Sequence, residues 1–283
     1  DTFNFQTSVD IAATTQLESL SVVGNWGLSG NTSGGAAMGG SAGYINLDVA
    51  TIAGIADSAT VTSASAVDVE AKTTHFHLVL SPSNGSGSSV AGSGLVALVK
   101  VNDKTQASIS NRATVTADIV SVKADEVLAI YTGSGQLQYG NGASVGVAIS
   151  IADINTDTAA YVGRNIGSVP SFIDATTLES TIAGKIATNE LNVRAQTAGT
   201  LLVTTIAAAL SQPVEAPPPG TPSKALEMLM GSQAVATPKF NLTVTGSSSI
   251  LLNDLGTRAS IDGAKVERRS GNAAQVAVQA INT

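Results

Sequence analysis

His75 and His77 are the only imidazoles in the 283 residues, and they flank Phe76. On an extended strand alternate side chains share a face, so both rings project together. Two imidazoles at that spacing can share a metal ion. The chain has no cysteine, so carboxylates from a neighbouring segment would have to complete the site. No metal ligands are assigned. A second constellation is Asp153, Asn155 and Asp157, read as a turn, with Asn102-Asp103 and Asn253-Asp254 in comparable places. Oxygen ligands at alternate positions suit Ca²⁺. The competing reading is that Asn and Asp cap turns by bonding their own backbone. The G-G-x-G-x-D nonapeptide of calcium-binding rolls is absent, which favours the caps; Ca²⁺ is the one cofactor kept in view and none is assigned.

Glycan hydrolysis or elimination needs clustered carboxylates, often beside a basic residue. Here the charges are scattered about one to a strand, and the only basic cluster is Arg268-Arg269. No G-x-x-x-x-G-K-[ST] loop is present either, and no helix follows the glycine-rich segments. No catalytic residue is assigned, and the expectation is a protein without enzymatic turnover.

What must position any site is a β scaffold. The chain is 43% apolar but only 4% aromatic and 12% charged, with 28 glycines. Small and β-branched residues at this density favour stacked, pleated surfaces over a core of large side chains. The net charge of −7 argues against a nucleic-acid partner. No run reaches the ~18 apolar residues a helical span requires, so no membrane span is expected. The sequence starts at Asp1 without a charged-then-apolar leader, which reads as a processed or cut end.

The pattern that recurs is VKVNDKTQASISNRATVTADIVSVKA, residues 99–124. Its first half returns around Asn155 and Asn253, and its middle, ATVT at 113–116, matches ATVT at 59–62. Each copy closes on an alternating run: VDVEA at 67–71, VSVKA at 120–124, LNVRA at 191–195 and VAVQA at 276–280. Val69 and Val122 stand 53 residues apart, and so do Thr105 and Thr158. A fixed period of this size points to a repeat architecture.

Taken in order, 1–43 reads as N-terminal strands and a Gly-rich loop. Repeats follow at 44–94, 95–143 and 144–212, the third with an insertion near 164–183. A proline-rich excursion occupies 213–239, with a short helix expected near 224–230, and a fourth repeat runs through 240–283. Each unit is expected to hold about five short strands separated by Gly/Ser turns. So little apolar bulk cannot fold one unit alone; the units must share a core. Strands stacked in register along one axis satisfy this, and the fold class expected is all-β, a parallel β-helix. Tandem antiparallel β-sandwiches are the alternative. With coils of roughly 18–27 residues, each repeat would supply two to three of them. Ten to fourteen coils spaced ~4.8 Å apart would make a rod on the order of 50–65 Å long. The interior is expected to hold Val99, Val101, Val120, Val122, Val147, Ile149, Val193, Val276 and Val278.

Residues 99–124 resemble the repeats of leukotoxin-type filamentous adhesins and other giant bacterial exoproteins. The resemblance covers about half the chain, and its motifs are structural. It implies a secreted or surface-anchored module of a bacterial filament, acting in adhesion or cell–cell contact, and it brings no catalytic residues. The partners it implies are adjoining repeats or further copies end to end, and a glycan on a host or neighbouring cell. A polysaccharide-binding or glycan-active β-helix is the competing class. The last expectation concerns the ends: no capping element is evident at Thr283, so end-to-end joining is expected, with Phe3 and Phe5 in the contact.

Overall fold

In a computed structural model the protein is described over residues 2–5, 7–28, 36–87, 90–140, 143–164, 184–211, 242–270 and 274–283. The described strands in chain order are β1 (Thr2–Phe5), β2 (Val9–Val22), β3 (Asn25–Leu28), β4 (Ala36–Ile55), β5 (Thr60–Ser63), β6 (Ala66–Gly87), β7 (Val90–Ser110), β8 (Thr114–Thr116), β9 (Ile119–Gly140), β10 (Ala143–Gly163), β11 (Gly184–Thr188), β12 (Glu190–Ser211), β13 (Leu242–Asp262), β14 (Ala264–Arg268) and β15 (Gln275–Asn282). They stack in three parallel sheets. Sheet A, of short strands, runs β1-β5-β8-β11-β14; sheet B runs β15-β12-β9-β6-β2, with β3 also on β6; sheet C runs β13-β10-β7-β4. The parallel β-helix is therefore the architecture.

Its coil differs from the expected one. The chain goes along a sheet C strand of about 20 residues, turns through a short sheet A strand, and returns along a sheet B strand of about 22. Ala143 pairs with Val90 and Ile119 with Ala66, each 53 residues away. One repeat is thus one coil. Short coils and a long rod give way to a broad, shallow slab. Five rungs of sheet B span about 20 Å of stacking, while each long strand extends about 70 Å.

Glycine and serine, expected in turns, lie mostly within strands. β6 continues to Gly87 and β7 begins at Val90, so most of 81–94 is strand; β9 and β10 likewise absorb most of 132–144, and β4 starts at Ala36 inside the first Gly-rich stretch. A parallel neighbour on each side holds these residues extended regardless of intrinsic preference. The genuine corners are marked by left-handed backbone instead. Ser58, Arg112, Gly163 and Gly263 all have positive φ, and all lie where the chain leaves sheet C for sheet A. At Gly163 a Cβ would sit 1.8 Å from the Asp262 carbonyl oxygen, so only glycine fits. The proline-rich stretch 213–239, the helix expected near 224–230 and the insertion beyond Arg164 lie outside the described residues.

Sheets B and C face each other, and two apolar cores form between them. The one beside sheet A gathers Val67, Val69, Val115, Val120, Val122 and Val193 among others. A smaller one further along holds Val79, Val99, Val101, Leu128, Ile130 and Ile154. Five expected interior residues, Val99, Val101, Val120, Val122 and Val193, are fully buried. Val276 and Val278 keep the inward phase, opposite Leu191 and Val193, but stay about half exposed on the last rung of sheet B.

Val147 and Ile149 are corrected. In β10 the phase is inverted: Ala148, Ser150 and Ala152 are buried between the sheets, while Val145 and Val147 face outward at 40% and 46% exposure and Ile149 is half-buried on that outer face. Across the gap Ser150 meets Ser134, Oγ to Oγ at 2.6 Å. That short contact leaves no room for valine or isoleucine. Ala148→Leu should accordingly destabilise by about 1–3 kcal/mol through overpacking, with Val147→Thr within about 0.5 kcal/mol of the parent. Urea midpoints of the two variants check this, and equal losses would contradict the phase described.

Candidate functional site: a buried polar seam

Between the two apolar cores runs a layer of hydroxyls. The inward positions Thr15, Thr73, Glu126 and Thr197 align across sheet B; Thr51, Thr105, Thr158 and Thr257 align across sheet C. They meet rung by rung: Thr51 with Thr15 at 2.7 Å, Thr105 with Thr73 at 2.6 Å, Thr158 with Glu126, and Thr257 with Thr197 at 2.9 Å. Threonine suits this seam because its methyl packs against neighbouring valines while its hydroxyl bonds across the gap. Glu126 stands where the other rungs carry threonine.

Next to Glu126 lies the charged part. The rings of His75 and His77 do point to one face, as expected, but that face is the interior, where both are fully buried. His75 Nε2 lies 2.5 Å from Asp103 Oδ2, His77 Nε2 lies 3.3 Å from His75 Nδ1, and the Ser19 hydroxyl lies 2.7 Å from His77 Nδ1. One tautomer accounts for all three contacts. With each ring carrying its proton on Nε2, Ser19 donates to His77, His77 to His75, and His75 to Asp103.

From the other side, Thr197 donates to Thr158 at 2.8 Å, and Thr158 donates to Glu126 Oε2. Glu126 Oε1 and Asp103 Oδ1 are both buried without a hydrogen-bond partner of their own. A proton on Glu126 directed at Asp103 satisfies both atoms. Burial pushes the Glu126 carboxyl up to about 7; the Thr158 hydroxyl opposes this and the Asp103 charge adds to it. Burial and the neighbouring His75 drop the His77 imidazole to about 4. Donors from both directions thus converge on Asp103, with Glu126 protonated and His77 neutral between about pH 4 and 7.

Both His75 nitrogens and both His77 nitrogens are already engaged. Among the described residues no group of three or more His, Cys, Asp or Glu is placed to hold an ion.

The Ca²⁺ reading placed its ligands in turns, and that is corrected. Asp153, Asn155 and Asp157 lie in mid-strand on β10, beside Lys100, Asn102 and Lys104 of β7. Asp157 is engaged by Arg258 at 2.5 Å. Asp103 also leaves the turn assigned to it and becomes the centre of the buried network. Register explains part of the error: Asn102 aligns with Asn155 and Asp254, not with Asn253. Arg269 of the basic pair bonds Asp118 at 3.0 Å at the corner between sheets A and B. Phe3 and Phe5 lie in β1 at the outer edge of sheet A, beside Val61 and Ser63; their side chains fall outside the described residues.

Ser19, Asp103 and Glu126 were not singled out as a group by sequence reasoning. The one usable signal was the 53-residue step from Thr105 to Thr158, which Thr73 and Glu126 repeat on the facing sheet with a carboxylate in place of the second hydroxyl. No family model, curated protein or solved structure matches the chain.

Proposed function

We propose that this chain is a structural, adhesive repeat module of a large extracellular or filament-forming protein, without turnover of its own. The supporting observation is that coils of 53 residues or more stack in residue-for-residue register, with their most reactive-looking side chains sealed between two sheets. A hydrogen-bonded chain buried in this way fixes which rung lies where; it is not open to a polymer substrate. The broad outer faces of sheets B and C are the surfaces the module presents. The resemblance of residues 99–124 to filamentous-adhesin repeats agrees with this role.

The test uses purified chain on beads. Saturable, detachable adhesion to cells or to an immobilised glycan panel is expected, with no new reducing ends or unsaturated products when the same glycans are incubated in solution. Steady product formation would replace this proposal with the glycan-active class. Absence of adhesion to every surface would remove the adhesive half of it.

A further inference from the structure

The outer face of sheet C changes character along the strands. Nearest sheet A it is polar and charged, carrying Lys104, Asp157 and Arg258. Beyond Lys100 and Asp153 the charges stop: β4 up to Ile45, β7 up to Val99, β10 up to Ala152 and β13 up to Leu252 contain no Asp, Glu, Lys or Arg. Within this charge-free half the outward residues form rows across the strands. One row is Tyr44, Leu98, Ile151 and Ile250; four residues along, another is Gly40, Gly94, Val147 and Gly246. The first is a ridge of large side chains, with Tyr44 61% exposed. The second is a furrow, interrupted at Val147, where Gly94 and Gly246 leave open space above the backbone.

We propose that this half of sheet C is a self-association surface, on which a second copy of the chain packs face to face. A two-fold axis lying in the plane of the contact, parallel to these rows and midway between ridge and furrow, lays each ridge into the other copy's furrow. That is the self-complementarity an isologous contact requires. The patch measures about 30 Å along nine residues and about 19 Å across four strands, so two copies would bury on the order of 1,100 Å² in total. This falls at the small end of stable interfaces and corresponds to a weak, micromolar dimer. The centre has no charges to desolvate, and Lys100 and Asp153 stand at its rim, the usual anatomy of such contacts.

A lipid surface is the competing occupant of an apolar face. It is disfavoured because the edge strands β4 and β13 would carry unpaired backbone groups into hydrocarbon. The proposal deepens the filament-forming role by naming one partner and one face, and it can fail while the adhesive role stands.

The experiment is sedimentation of the full chain from low to high micromolar concentration, with Gly94→Leu as the decisive variant. A Cβ at Gly94 would meet nothing within 4 Å and the face above it is outward, so the fold and melting temperature should be kept while the furrow is filled. A dimer is expected for the parent, with association weakened at least tenfold by Gly94→Leu and unchanged by Leu202→Asp on the outer face of sheet B. The chain contains no cysteine, so a Gly94→Cys copy mixed with a Leu98→Cys copy should give a disulfide-linked heterodimer on mild oxidation. A monomer throughout, an oligomer indifferent to Gly94→Leu, or flotation with phosphatidylcholine vesicles in place of self-association would each overturn the proposal.

Discussion

Replacing Glu126 with Gln should stabilise the protein above pH 7 and expose a pH dependence that the parent conceals. The glutamine amide can still donate to Asp103 and accept from Thr158, but it cannot ionise. Glu126 has a folded pKa of about 7, raised from 4.5. Its contribution is therefore fully present below pH 4.5 and is lost as the pH rises to 7. His77 has a folded pKa of about 4, lowered from 6.5. Its contribution is fully present above pH 6.5 and is lost as the pH falls to 4. Between pH 4.5 and 6.5 the two slopes oppose each other, so the parent's stability should be nearly flat with respect to these groups. With solvent screening of these groups allowed for, each shift corresponds to about 1–3 kcal/mol. Glu126→Gln should gain about that much at pH 8 and then fall steadily below pH 6.5. His77→Gln should show the mirror image, most stable near pH 4.5 and declining towards 7. Urea midpoints from pH 4 to 8 read this out. Curves for the two variants that run parallel to the parent would contradict the assignment.

The second large effect concerns the pair that anchors the network. In sheet B His75 is stacked between Leu17 and Leu128; in sheet C Asp103 is stacked between Val49 and Thr156. Neighbouring rungs thus already show that leucine and valine fit these positions. Changing His75→Leu alone leaves Asp103 as an unpaired buried carboxylate and should cost about 3–5 kcal/mol. Changing His75→Leu together with Asp103→Val rebuilds the pattern of the adjacent coils and removes the buried carboxylate along with its donor. The double variant should recover most of that loss, within about 1.5 kcal/mol of the parent. A double variant as unstable as the single one would show that the pair contributes something packing cannot replace. The cycle is measured by denaturant unfolding, with Thr73→Val as a control for the seam alone.

The repeat and the stacking were legible in the sequence because they rest on equal spacing. VDVEA, VSVKA and LNVRA do stack, and Val69, Val122 and Val193 share one ladder. Coil size was not legible. Gly-Ser-Gly within 133–135 carries the same local signal whether it bends or lies extended between two parallel neighbours, and here only the neighbours decide. The phase of β10 failed for a related reason. Val145, Val147 and Ile149 look like a core face, but core status depends on the width of the gap, which the facing Ser134 sets. The buried network was half visible. His75 and His77 were correctly placed on one face, but their partner Asp103 lies on the opposite sheet. Glu126 stands out only once Thr73 and Thr197 are known to flank it on the ladder.

The wide coil also governs how the chain can reach this state. Among the described residues, every strand of the long sheets finds its ladder partner 53 or more residues away in sequence, and no hairpin supplies a local start. Such a topology defers its gains until long loops have closed, which slows folding and leaves early species with open strand edges. A completed rung offers the next one a template already carrying matched hydroxyls. Growth by accretion onto a formed coil is then the economical route, and the first coil is the slow event.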